Sequence, residues 1–171
     1  MKTLRIAGST IALGLALGLT GCGLAKDSKV AETEAERFHQ RWNANEFQAV
    51  FDDAHADFRS AQPAEKMVGT LQGVKKHYGQ LTSTKRRSWG FHSDKGVTEV
   101  TLTYDSAYDH AAAIEEFVFR MTGEKALLLS YDIASPETYA KREAAKKAAS
   151  EEKQKAEEAE RKAKREANKK P

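Results

Sequence analysis

The sequence predicts an α+β protein, in which N-terminal helices pack on a curved four-stranded antiparallel sheet and a long solvated helix follows. Two observations carry this prediction. The spacing of apolar residues changes from helical to alternating near Lys85, and from Glu137 onward the chain is nearly all Ala, Glu, Lys and Arg. The 171 residues include one cysteine, which excludes an intrachain disulfide and a cysteine-based zinc site.

The N-terminal segment has the charge pattern of a secretory signal. A positively charged start precedes residues 6–19, which carry no charge. The apolar run ends in Leu19-Thr20-Gly21-Cys22, with the single cysteine last. These four residues resemble the lipobox of bacterial lipoproteins.

The lipoprotein resemblance implies a covalent membrane anchor on Cys22. The thiol takes a diacylglyceryl group, cleavage frees the amine of Cys22, and a further acyl chain such as palmitate is added there. Two or more acyl chains anchor a protein stably. Gly23, in place of Asp, implies the periplasm-facing outer membrane, or the outer leaflet of the cytoplasmic membrane in a host with one membrane. An uncleaved membrane helix over residues 6–25 is the alternative, and both interpretations place the remaining chain outside the cytoplasm.

Composition and charge divide the chain into four segments. We expect a lipoprotein signal peptide at 1–21, a tether at 22–29, an α+β domain at 30–135 and a charged helical tail at 136–171. Residues 30–135 contain 12 basic and 16 acidic side chains, whereas residues 136–171 contain 12 basic and 8 acidic. The net charge of the whole chain is only +3, too small to indicate nucleic-acid binding.

Three helices are predicted at the start of the domain, because apolar residues recur there at helical spacing. The first has the apolar stripe Ala31, Ala35, Phe38 and Trp42. The second covers residues 47–58. The third opens at Pro63, has the stripe Met67, Leu71, Val74 and Tyr78, and stops at Gly79.

Four strands are predicted next, because apolar and polar residues alternate. Trp89 and Phe91 mark the first strand, residues 97–108 form the second and residues 116–121 lie in the third. The fourth strand has Leu127, Leu129, Tyr131 and Ile133 on one face. The short connections between them favour an antiparallel meander, with one apolar face that the helices cover.

This order of elements resembles the nuclear transport factor 2-like superfamily, also called cystatin-like. The matching features are the first helix ending in Trp42, the Asn45-Glu46-Phe47 start of the second helix, and the sheet over 97–135. The resemblance implies a cone with an apolar pocket at its open end. Some members are isomerases or dehydratases with an acidic or histidine base in the cone. No residue of this chain aligns with those bases, so no catalytic residue is predicted.

A candidate ligand pocket is predicted on the apolar face of the sheet. Glu115 has the same strand parity as Phe117 and Phe119, so we expect it to point inward, where burial would raise its pKa. The alternative is that Glu115 lies by the turn and reaches solvent. The seven candidate lining residues are Trp89, Phe91, Tyr104, Tyr108, Glu115, Phe117 and Phe119. The same aromatic stripe also fits a filled core, and this choice stays open.

No metal or cofactor is predicted. The histidines at positions 39, 55, 77, 92 and 110 form no pair with metal-ligand spacing on one helix face. The basic run Lys85-Arg86-Arg87 fits either a solvated strand start or a contact with lipid phosphates or an acidic partner.

The tail is predicted to be a solvated single helix, because seven of its eight glutamates are followed four residues later by Lys or Arg. Three functions remain as hypotheses. The first is a non-catalytic envelope lipoprotein that binds a protein or small ligand. The second is a structural tether whose basic tail contacts the cell wall or an envelope partner. The third is an enzyme of the isomerase or dehydratase type.

Overall fold

A computed structural model describes the backbone of residues 21–167 and the side chains of residues 25–162, 164 and 165. The expected signal peptide, the alternative helix over 6–25 and the side chain of Cys22 therefore lie wholly or largely outside the described part. The elements are α1 Gly21–Ala44, α2 Phe47–Asp52, α3 Ala56–Ser60, α4 Ala64–Tyr78, β1 Leu81–Asp94, β2 Val97–Tyr108, β3 Ala112–Thr122, β4 Lys125–Ala134 and α5 Pro136–Ala167.

The four strands form one antiparallel sheet in the order β1-β2-β3-β4, which confirms the predicted α+β class. Tight turns join β1 to β2 and β3 to β4. In the first turn Lys95 and Gly96 have φ of 48° and 81°, the left-handed pair that a two-residue hairpin needs. Both turns lie at the same end of the sheet, because alternate connections of a meander share an end.

Helix α1 crosses the inner face of the sheet and supplies the centre of the core. Its alanines at 31 and 35 are fully buried and let the helix backbone approach the strands. Phe38 and Trp42 then fill the wider space toward the other end. The indole Nε1 of Trp42 donates to the carbonyl of Gly79 at 3.1 Å, so the largest buried side chain has its polar atom paired.

The predicted second helix is two short helices, α2 and α3, separated at residues 53–55. His55 begins α3, because its Nδ1 accepts a hydrogen bond from the backbone N–H of Asp57 at 3.1 Å. The backbone N–H of His55 also donates to the carbonyl of Leu128 at 2.9 Å. The break therefore turns the chain toward β4.

Three sequence expectations need correction. The segment expected to be a tether, residues 22–29, is the first part of α1, and Ser28 is already buried. Strand β1 begins at Leu81, well before the alternation at Trp89. In β4 a bulge at Leu129 shifts the register, so that Ala126 and Leu128 face the core instead of the predicted Leu127 and Leu129.

Helix α5 docks on the outer face of the sheet through its first turns only. Ser135 caps it, Arg142 pairs with Asp132 at 2.6 Å, and the guanidinium of Arg87 lies 5.7 Å from the ring centre of Tyr139. Every described side chain after Tyr139 is exposed. None of the helices within residues 21–167 is both long enough and apolar enough to span a membrane.

Candidate functional site

Five of the seven candidate pocket residues meet on the inner face of β2 and β3. All five are buried, and the strand pairing places Tyr104 directly opposite Glu115. The five are Tyr104, Tyr108, Glu115, Phe117 and Phe119. Glu115 is 0% exposed, so it points inward as its parity predicted and does not reach solvent.

Trp89 and Phe91 do not belong to this buried group. A register shift at Arg87 does place them on the same sheet face as Leu102 and Val100. However, they lie on the edge strand near its end, where they are 43% and 51% exposed. Their rings stack on each other with centroids 6.4 Å apart.

The space between helix and sheet is filled by aromatic side chains from α1 and β4. The ring of Phe38 lies 5.1 Å from that of Phe117 and 4.5 Å from that of Tyr131. A cavity of about 30 Å³ beside Phe119 has room for little more than water. The five buried candidate residues are therefore packed in the core, and they do not form a drug-sized pocket of roughly 300 Å³ or more.

A polar cluster is nevertheless built into this core around Glu115. Nε2 of His39 lies 3.1 Å from Oε2 of Glu115, and the hydroxyl of Tyr131 donates to Oε1 at 2.8 Å. Ser106 donates to Oε2 as well. Ser106 and Tyr131 reach the carboxylate diagonally, each from a position two residues along the neighbouring strand. One helix and three strands thus converge on a single carboxylate.

The electrostatics of the cluster keep Glu115 ionised. Burial raises its pKa, but the hydrogen bonds from His39 and Ser106 and the attraction of His39 outweigh burial, so the pKa is lowered. The phenol of Tyr131 has its pKa raised well above the ordinary value by burial and by the negative charge of Glu115. Burial and the same charge raise the pKa of Tyr108, whose buried hydroxyl makes no hydrogen bond to any described residue.

A shallow groove of about 360 Å³, open to solvent, lies between α1 and β1, and His39 contributes to its lining. We call it the α1–β1 groove. Its lining is Glu36, His39, Gln40 and Asn43 from the helix and residues 81–84 from the strand. Because Glu115 holds Nε2 of His39, the imidazole is fixed in orientation at the groove wall. The hydroxyl, amide and imidazole groups suit a hydrogen-bonding ligand.

His39 was not singled out from the sequence, although a signal exists. It follows Phe38 and lies four residues after Ala35, so it falls on the apolar stripe of α1. A polar residue within such a stripe must find a buried partner. The carboxylate of Glu115 is that partner.

The two arginines of the basic run are engaged in ion pairs in the structure. Arg86 reaches across to Glu32 on α1, and Arg87 pairs with Asp105 at 3.0 Å. Within the part of the chain whose side chains are described, no three His, Cys, Asp or Glu residues come together as a metal-ligand set.

Comparisons with protein-family models, with curated protein sequences and with solved structures give no significant match to this chain.

Proposed function

We propose that the protein is an envelope lipoprotein, anchored in the membrane through lipid on Cys22, whose α+β domain binds a ligand or protein segment without catalysis. The anchoring rests on the sequence Leu19-Thr20-Gly21-Cys22 at the end of an uncharged run. The binding rests on the α1–β1 groove, a shallow depression whose wall includes polar side chains and the edge of the largely buried His39. The anchor faces the periplasm from the outer membrane in a two-membrane host.

The state of Glu115 supports a non-catalytic role. A general base must offer a free lone pair within reach of substrate. Glu115 is fully buried and accepts from three side chains, which fits a carboxylate that holds α1 to the sheet. An isomerase or dehydratase remains the alternative, and it would require an identified activity that is lost in Glu115→Gln.

The anchoring is tested by fractionation of cells that express the full chain. Cys22→Ser removes the only thiol, so the variant should carry no acyl groups and should keep residues 1–21, because cleavage follows lipid addition. Thr20→Ser is the matched control, because it keeps a small residue beside the same cysteine, and its protein in the membrane fraction should carry the acyl mass. Parent protein in the membrane fraction without acyl mass would contradict the lipid anchor.

The binding is tested by native mass spectrometry of residues 24–171, exported to the periplasm behind a cleavable signal peptide that has no lipobox. We expect a discrete added mass that disappears in Thr84→Trp, because the indole fills the α1–β1 groove. Lys85→Trp is the control, since residue 85 is the next residue on β1 and faces the other side of the sheet. A mass equal to the bare chain would contradict a tightly held small ligand.

Helix α5 supports a second candidate, the structural tether. Beyond Lys146 every described side chain is exposed, and the ion pairs among these described residues stay within the helix. If it binds anionic cell wall, truncation after Lys146 should lower the amount of protein crosslinked to wall, and salt should weaken the parent's binding. Unchanged crosslinking after truncation would eliminate this candidate.

A further inference from the structure

The membrane anchor and the exposed aromatic residues lie at the same end of the molecule. The amine of Lys26, in the first turns of α1, pairs with Glu124 in the β3–β4 turn at 2.6 Å. The helix therefore begins at the hairpin-turn end of the sheet. Cys22 precedes Lys26 by about one helical turn, or roughly 6 Å.

Two further contacts fix the position of Phe91 relative to Cys22 along the axis of α1. Asn43 exchanges two hydrogen bonds with Leu81, at 3.0 and 2.9 Å, and Glu32 pairs with Arg86, so α1 runs antiparallel to β1. From Glu32 back to Cys22 the helix rises about 15 Å. From Arg86 forward to Phe91 the strand extends about 16 Å. The two residues thus lie at nearly the same level along the helix.

Two exposed aromatic side chains at this end, Trp89 and Phe91, form what we call the aromatic edge. They are 43% and 51% exposed, and they lie on the same face of the sheet as α1. Val97 is exposed at the same end, but the strand register turns it to the other face. Grouped exposed residues of this kind mark interaction surfaces. Lys95 in the adjoining turn is exposed as well.

We propose that the aromatic edge docks onto the surface of the membrane that holds the lipid on Cys22. This inference rests on the proposed lipid anchor. Trp and Phe partition into the interface between headgroups and acyl chains, and a nearby lysine is attracted to anionic lipid. The anchor holds the membrane surface near the height of these side chains, so a weak patch binds efficiently.

The size of the aromatic edge favours lipid over a second copy of the chain. Two half-exposed aromatic rings offer roughly 200 Å². A stable protein interface buries about 1,200 Å² or more. A lipid surface has no such requirement, because the acyl chains on Cys22 already provide the attachment.

The test uses the lipidated full chain, extracted from membranes and reconstituted in vesicles of phosphatidylglycerol and bromine-labelled phosphatidylcholine. Bromine quenches tryptophan only within the bilayer. Trp42 is fully buried in the core, so the Trp89→Phe variant measures its constant background. We expect bromine to reduce the Trp89 emission at least twofold and acrylamide to have little effect.

The control variant carries Trp89→Phe with Lys76→Trp, which moves the exposed reporter to α4 at the opposite end of the sheet. This reporter should respond to acrylamide and not to bromine. Trp89 emission that is open to acrylamide and insensitive to bromine, or shielded from both in a dimer, would overturn the docking. An intact mass without acyl groups would instead overturn the anchor, so the two failures are distinguishable.

Discussion

At the scale of single residues, Glu115 is the group on which the core most depends. A buried carboxylate is tolerated only while its donors remain. Glu115→Gln replaces an acceptor of three hydrogen bonds with an amide whose nitrogen faces donors. We expect the free energy of unfolding to fall by about 3 kcal/mol, as for other broken buried pairs, measured by urea denaturation.

Glu116→Gln is the matched control for that variant. Residue 116 is the next residue on β3, faces the opposite side of the sheet and is only partly buried. Its free energy of unfolding should stay within about 0.5 kcal/mol of the parent value. Equal effects of the two substitutions would contradict the structural role of the cluster.

The lowered pKa of Glu115 also predicts a pH dependence of stability. The folded pKa lies below the ordinary value of 4.5, so the folded state holds this proton less tightly than the unfolded state. The contribution is therefore complete above about pH 4.5 and is lost as the pH falls through the folded pKa. Urea denaturation at pH 6 and at pH 3 gives the free energy of unfolding at each pH. This free energy should fall less between pH 6 and pH 3 in Glu115→Gln than in the parent protein. A larger loss in the variant would contradict the sign.

The inward position of Glu115 could be predicted because a strand alternates strictly between two faces. The partner His39 could not be assigned in the same way. Its place on the stripe of α1 shows only that it needs a partner, whereas the identity of the partner depends on a contact 76 residues away.

At the scale of elements, α1 is the helix that packs across the inner face of the sheet, and Trp42 is its largest buried side chain. Trp42→Ala removes a fully buried ring and the hydrogen bond to Gly79. The free energy of unfolding should fall by about 3–5 kcal/mol. Trp89→Ala removes the same side chain from an exposed position and should cost less than about 1 kcal/mol. Circular dichroism during urea unfolding measures both variants, and equal losses would contradict the assigned packing.

The strands differ in how far the sequence predicts them. The central strands β2 and β3 alternate cleanly because one face lies in the core. The first half of β1 is polar on both faces, since it is an exposed edge, and so it gives no alternation to detect. The bulge at Leu129 reverses the parity of β4 midway, and a run of three leucines offers no sign of it.

At the scale of the whole molecule, α5 has a docked part and a free part. Its first turns cover the outer face, where Thr103 and Ile114 are buried although they point away from the core. Truncation after Lys146 should leave the melting temperature unchanged within about 1 °C, because no packing is lost. Truncation after Ser135 uncovers that face and should lower it by about 5 °C or more. Thermal unfolding measures the melting temperature of each truncated protein. Equal melting temperatures for the two truncations would show that α5 contributes no packing.

The α1–β1 groove could not be predicted from the sequence for the same reason as β1. Half of its lining comes from residues 81–84, whose polar sequence does not indicate a strand. The proposed membrane location, in contrast, is inferred from four adjacent residues that end in Cys22, and this inference needs no tertiary contact.

The most direct test of the lipoprotein proposal is the intact mass of the protein extracted from membranes with detergent. We predict a chain that begins at Cys22 and carries a diacylglyceryl group and a further acyl chain, with both masses lost in Cys22→Ser. An unmodified chain that retains residues 1–21, or one cleaved elsewhere without lipid, would contradict the anchor.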